Sequence, residues 1–254
     1  MWNSEQYLKF KTQRTQPAID LLSRISLTNP DSIIDIGCGP ANSTAILYNR
    51  YPNAYILGVD SSQNMIDMAK STYPNLDFLL CDAKDELTTL NKKFDIVFSN
   101  ACIQWVPNHS VLLKNMFSLL NDGGVMAIQI PMNYDEPIHK IIHQVSNSSK
   151  WKSKLSNVRT FYTLKPYEYY DLLSGLTNDF DIWSTTYYHV MGSHNDIMEW
   201  YRGTGLRPYL ESLSVDDRTS FESEVYDRLL QEYPKQKDGN IIFKFPRYFM
   251  LATK

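Results

Sequence analysis

Cysteine is scarce in this sequence: three residues, none spaced as a Cys-x-x-Cys pair. An odd, unpaired set argues against a disulfide framework and a structural zinc site, and suits a reducing compartment. Charge of one sign is scarce too. Lys and Arg number 25 against 28 Asp and Glu, for a formal net charge of −3. That balance creates no field able to draw nucleic acid over the whole surface, but it permits a local basic site for a small anion. No apolar run approaches the roughly 20 residues needed to cross a bilayer. The opening stretch MWNSEQYLKFKTQR is polar and lacks the apolar core of a signal peptide. Internal repeats, low-complexity tracts and obvious linkers are missing as well. The expectation is a cytoplasmic monomer without metal, membrane or nucleic-acid partner.

What is present fits one α/β domain with room for an insertion. The chain has 254 residues, 43% hydrophobic and 21% charged, ordinary for a globular protein. That is long enough to bury a core without disulfides or metal. Aromatics make up 13%, many in the last hundred residues, as either a dense core or an aromatic-lined pocket.

Strand and helix signals alternate through the first half. Strands are expected at Ser32–Ile36, Tyr55–Val59, Leu76–Leu80, Phe94–Ser99 and Val125–Ile130. Helices are expected at Gln16–Arg24, Asn42–Arg50, Ser62–Ser71 and His109–Leu120, the last closed by Asn121–Gly123. Short apolar strands separated by helices imply a doubly wound, mostly parallel sheet. Beyond Pro131, helices are expected at Tyr134–Lys154, Pro166–Leu173, His194–Tyr201 and Asp216–Tyr233, and strands at Asp181–Met191 and Ile241–Thr253. Pro246 implies a bulge or an unpaired position in that last strand. The division is a core over 15–132, then a helical substrate cap with the last two strands over 133–254, all within one domain.

Ligands of such sheets sit beyond the carboxyl ends of the strands, where strand order switches. The segment IIDIGCGPANS lies there. Gly37 and Gly39 let the backbone turn sharply and approach a ligand closely. A dinucleotide loop of GxGxxG form would place its third glycine at position 42, which is Asn42. Asp35, two residues before the first glycine, suits a cationic ligand and would repel a pyrophosphate. Asp60, ending the second strand, can accept hydrogen bonds from two ribose hydroxyls.

An acid, then GxG, then an acid ending the second strand resembles the class I S-adenosylmethionine methyltransferases. Over nearly its full length the chain is similar to the trans-aconitate 2-methyltransferase family. The matching stretches are YLKF…R (Tyr7–Arg14), DIGCGPANST, GVDSSQNMI, SNACIQWVPNH, DIWSTTYYHVM, TGLRPYL and FPRYFM. The resemblance implies a Rossmann-like sheet of seven strands and methyl transfer from S-adenosylmethionine to one carboxylate of a small polycarboxylic acid. It implies cofactor binding by Asp35, Gly37, Cys38, Gly39, Asp60, Ser61, Met65, Asp82, Ala83, Asn100 and Ala101. Asp82 and Ala83 belong near the adenine, Asn100 and Ala101 at the methionine end.

A tricarboxylate carries about three negative charges at pH 7. Its capture needs fixed cations, and Arg is the bidentate partner. Arg207 and Arg247 are the candidates, whereas Arg202 departs from the family pattern. Gln104 and Trp105 are candidates for pocket wall and donor, Tyr187 and His189 for donors on one strand face, and Tyr7 and Arg14 for an N-terminal lid. His189 reads as a structural histidine rather than a catalytic base. An ionised carboxylate needs no general base, so no catalytic residue is assigned. The alternatives left open are another acceptor, such as a carrier-protein carboxylate, a non-catalytic S-adenosylmethionine-binding module, and a nicotinamide oxidoreductase.

Overall fold

Runs of Ile, Val and Phe in register give the sheet its inner strands, because β-branched and aromatic side chains fill a surface buried on both faces. The computed structural model describes residues 10–156, 158 and 161–254. Tyr7 lies outside the described residues. In chain order the elements are α1 (Lys11–Ser23), β1 (Ser32–Ile36), α2 (Asn42–Arg50), β2 (Tyr55–Asp60), α3 (Gln63–Thr72), β3 (Asp77–Leu80), β4 (Phe94–Asn100) and α4 (His109–Ser118). They continue as β5 (Leu120–Pro131), α5 (Pro137–Ser146), α6 (Pro166–Ser174), β6 (Phe180–Met191), α7 (His194–Arg202), α8 (Arg207–Ser212), α9 (Val215–Glu232) and β7 (Ile241–Thr253). No helix among the described residues is long and apolar enough to cross a membrane.

The seven strands run in the order β3-β2-β1-β4-β5-β7-β6. Neighbours from β3 to β5 are parallel, and β7 is antiparallel to β5. The order reverses between β1 and β4, which opens a crevice beyond their carboxyl ends. Asp95 fixes how β1 enters the sheet. Its carboxylate accepts the Asp31 and Ser32 N–H groups at 2.8 and 2.9 Å and the Asn121 amide at 2.7 Å.

The chain divides into two units. The sheet unit is Arg14–Pro131, Phe161–Thr185 and Arg247–Lys254. The helical unit is the described part of Met1–Gln13, Met132–Thr160 and Thr186–Pro246. Its core gathers Ile138, Ile142, Trp151, Trp200, Tyr201, Phe221, Phe243 and Phe245. The late-sequence aromatics named here are therefore core.

Some boundaries differ from those expected. α5 covers only Pro137–Ser146 of the long helix expected over 134–154. Pro137 takes the first turn, where its missing N–H costs nothing, and the chain turns after Asn147. α8 was not expected at all, since Pro208 reads as a breaker. It also occupies a first turn. α4 stops at Ser118, and the Asn121–Gly123 turn is absorbed into β5 as a register shift, with Gly123 at φ +77°. The β5–β7 register runs unbroken from Val125↔Thr253 to Pro131↔Arg247. Pro246 lies one residue past it, and its carbonyl accepts the Met132 N–H at 3.0 Å. No bulge is needed there, because the missing N–H falls outside this ladder.

Candidate active site

Register alone brings the motif residues together. Ile36 pairs with Val59, Asp60 with Leu80, Asp35 with Phe98, and Asn100 with Gln129. Gly37, Asp60, Cys81 and Asn100 therefore end neighbouring strands side by side. The glycine turn is pinned to β2, since the Gly37 and Cys38 N–H groups both donate to the Val59 carbonyl, at 2.8 and 3.0 Å.

The two glycines serve different ends. Gly37 sits at φ +75°, and a Cβ there would lie 2.1 Å from the Cys102 Sγ. Its bareness is a packing demand. Gly39 sits at φ +54° with nothing within 4 Å of a built Cβ, so it borders open space that a ligand can enter. Ala41 and Ala101 are held at φ 72° and 54°, conformations that cost L-residues about 1 kcal/mol each and persist where the surroundings impose them.

Asp35 is 0% exposed. Its Oδ2 accepts the Ser43 hydroxyl at 2.6 Å and the Thr44 hydroxyl at 2.7 Å, both in the first turn of α2. Oδ1 has no hydrogen-bond partner among the described residues. Burial pushes its pKa up to about 6, with the two hydroxyls opposing and Asp60 adding to the rise. Asp60 is also raised by burial. Its Oδ2 accepts the Gly39 N–H at 3.0 Å and its Oδ1 the Ser62 N–H at 2.9 Å. Each carboxylate oxygen keeps further lone-pair capacity for ligand hydroxyls. Burial drives the Cys38 thiol far above its ordinary range, so it is inert packing within a cluster of Ala41, Ile66, Ala69 and Phe78. Met65 is buried on α3, while Ser61 is exposed.

Asp82 is exposed, its Oδ1 accepting the Lys84 N–H at 2.9 Å, and Ala83 is buried. At the β4 end, the Ala101 N–H donates to the Gln129 carbonyl at 2.8 Å, and the Asn100 Oδ1 is buried without a hydrogen-bond partner among the described residues. Buried acceptors on Asp35 and Asn100, residues at or near the ends of the two strands that flank the switch in strand order, suit a ligand bearing an ammonium or other donor. The residues present thus fit S-adenosylmethionine. Among the described residues no group of three or more His, Cys, Asp or Glu is placed to hold a metal ion.

The residues expected to hold the acid divide between the units. In the sheet unit, Arg247 is 3% exposed and its Nη1 donates to the Gln129 Oε1 at 3.2 Å. Gln129 was missed, although a lone Gln inside the apolar run Val125–Ile130 was a readable signal. Gln104 donates to the Ala101 carbonyl at 2.7 Å, and Trp105 packs tilted against Phe161 with ring centroids 4.4 Å apart. Arg14 is buried on α1.

In the helical unit, Arg207 donates to Glu211 at 2.7 Å, one turn along α8. Tyr187 and His189 share a strand face with centroids 6.2 Å apart, as alternation requires. His189 packs among Trp200, Phe243 and Phe245, the surroundings of a structural histidine. Arg202 is bound to Glu199 and, at 2.5 Å, to Glu222.

The sheet order and the glycine turn define a methyltransferase, and residues 27–195 match a family model described as a methyltransferase domain. Phosphoethanolamine N-methyltransferase 2 of Haemonchus contortus, solved with S-adenosyl-L-methionine, shares the fold at TM-score 0.56 and 18% identity, over 94% of this chain and 52% of that one. The YcgJ protein of Bacillus subtilis does so at TM-score 0.57 and 13% identity, over 96% and 99%. Within that class, the chain belongs to the trans-aconitate 2-methyltransferase family. It is 40% identical to the trans-aconitate 2-methyltransferase of Azoarcus sp. (strain BH72), over 100% of this chain and 99% of that protein. The enzyme of Escherichia coli O157:H7 is also 40% identical, over 100% and 98%.

Proposed function

We propose that this chain is a carboxyl O-methyltransferase that converts trans-aconitate to a monomethyl ester, leaving S-adenosylhomocysteine. One observation carries the reading: 40% identity, end to end, with trans-aconitate 2-methyltransferases. When bound, S-adenosylmethionine supplies a methyl group on a positively charged sulfur. In this reading Asp60 accepts the ribose hydroxyls, Asp82 and Ala83 meet the adenine amino group, and Asp35, Asn100 and Ala101 surround the amino-acid end.

The attacking carboxylate is ionised at neutral pH, its ordinary pKa lying near 4, so no side chain has to remove a proton. What the residues must supply is alignment and exclusion of water. A carboxylate gripped by Arg is a poorer nucleophile. Arg247 and Arg207 are therefore assigned to the carboxylates that do not react. Arg207 would have to share or exchange its Glu211 partner. Gln104, Trp105, Tyr187 and His189 are assigned to the pocket, with Arg14 and Tyr7 to its entrance. The protein is further assigned to the cytoplasm, as a monomer working without metal.

The test is an acceptor screen with S-adenosylmethionine, reading S-adenosylhomocysteine release over a panel of di- and tricarboxylic acids. Trans-aconitate is expected to give the highest kcat/KM. Preference for a carrier-protein carboxylate or a neutral acceptor would overturn the substrate assignment. Cofactor binding without turnover on any acid would leave a binding module instead.

A further inference from the structure

Arg24, Arg202 and Arg207 each meet a carboxylate: Asp181 for the first, Glu199 and Glu222 for the second, Glu211 for the third. Arg247 is more deeply buried than any of these. Its Nη1 donates to an uncharged group, the Gln129 amide, at 3.2 Å. A guanidinium only donates, so the amide atom facing it is Oε1, and the Gln129 Nε2 points elsewhere. Gln129 has no exposed surface, and its Nε2 has no hydrogen-bond partner among the described residues. The bond to Arg247 is therefore what orients this amide.

Strand register ties the pair to the crevice. Gln129 lies opposite Asn100 on β4, and Arg247 lies opposite Pro131, two residues beyond Gln129. Alternation then puts Asn100, Gln129 and Arg247 on one face of the neighbouring strands β4, β5 and β7. The Asn100 Oδ1, like the Gln129 Nε2, is buried with no hydrogen-bond partner among the described residues. Unmet polar atoms on one face of the sheet cost stability and point to a ligand there. Other residues at position 129 would avoid that cost. Met or Leu would carry no donor, and Glu would offer Arg247 two charged oxygens. Gln does what none of them can: it holds the guanidinium and adds no negative charge. A local rule broken in this way belongs to a functional site.

We infer that Gln129 is a positioning residue for the substrate acid, fixing Arg247 through a neutral amide so that the guanidinium offers its positive charge to a carboxylate. The inference rests on the proposed placing of a non-reacting carboxylate on Arg247. A carboxylate built into position 129 would take the same N–H donors and repel the acid. Because Gln129 acts through Arg247, removing both side chains should do little more than removing Arg247.

The experiment measures kcat and KM for trans-aconitate, with calorimetric titration of S-adenosylhomocysteine, on the full chain. The variants are Gln129→Met, Gln129→Glu, Arg247→Ala, and Gln129→Met combined with Arg247→Ala. Gln129→Met loses one hydrogen bond and should raise the KM for the acid about fivefold, with kcat within about twofold. Gln129→Glu should match Arg247→Ala, at about tenfold or more, because both leave the pair without net charge. The double variant should stay within about twofold of Arg247→Ala, and the Kd for S-adenosylhomocysteine within about twofold of the parent throughout. Unchanged KM in both Gln129 variants, a smaller rise for Gln129→Glu than for Gln129→Met, or factors that multiply in the double variant overturns the positioning role. So does a raised Kd for S-adenosylhomocysteine with unchanged KM for the acid, since the carboxylate held there would then be the cofactor's. If Gln129→Glu fails to fold, Gln129→Met and the double variant still decide. Unchanged KM in Arg247→Ala overturns instead the placing of the acid on Arg247.

Discussion

Around the strand tips of the sheet unit, order is kept by short polar contacts: Asp35 to two hydroxyls, Asp60 to two backbone N–H groups, Gln129 to Arg247. In the helical unit it is kept by rings. Trp200 alone lies within 6 Å of Phe10, His189, Phe243 and Phe245, centroid to centroid. The difference matters for how each region answers change. A ring core is non-directional, so volume governs it and polar edits at its surface are tolerated. A polar tip is directional, and two of its acceptors, on Asp35 and Asn100, are buried with no hydrogen-bond partner among the described residues. Such groups lower stability on their own and are kept where a ligand meets them.

The largest effect should fall on stability. Trp200→Ala empties the middle of the ring cluster and should cost about 3–5 kcal/mol, read from denaturant unfolding. A loss below 1 kcal/mol would mean that the cluster is loosely packed and the comparison is drawn too sharply.

Next comes the sheet unit's main carboxylate. Asp60→Ala removes two hydrogen bonds to a charged group and the acceptor proposed for the ribose, so kcat/KM for S-adenosylmethionine should fall at least about a hundredfold. Thermal melting should change far less than for Trp200→Ala. Wild-type kinetics in this variant would remove Asp60 from the site.

The two well-anchored arginines give a matched pair. Arg247→Ala should raise the KM for the acid about tenfold or more while kcat stays within a few-fold. Arg202→Ala breaks partly exposed ion pairs with Glu199 and Glu222, and should cost about 1 kcal/mol or less with no change in that KM. Equal KM changes in both would erase the distinction between a substrate arginine and a structural one.

The smallest effect is a slope with pH. Asp35 binds its proton more tightly folded, at about 6, than unfolded, at 3.8. Its contribution to stability is therefore full below about 3.8 and is lost as pH rises to about 6. Melting curves of the ligand-free protein over that window should show this loss in the parent and not in Asp35→Asn. Parallel curves would mean that Asp35 is not buried as an acid.

The strands near the crevice could be read from the chain because burial on both faces forces near-continuous apolar runs, each ending at the polar residue that leaves the sheet. That is how Gly37, Asp60, Asp82 and Asn100 became legible together. α8 was not legible, since Pro208 marks a breaker and a helix start alike, and the extent of α5 was not, since polar residues after Asn147 suit turn and helix equally. Nor could the sequence show that Asp35 faces Ser43 and Thr44 or that Gly37 is bare to admit Cys102. Local order, strand identity and the cofactor motif follow from neighbours along the chain, where period and turn chemistry act. Which buried polar atom finds which partner depends on side chains brought together from distant positions, and that only the folded packing decides.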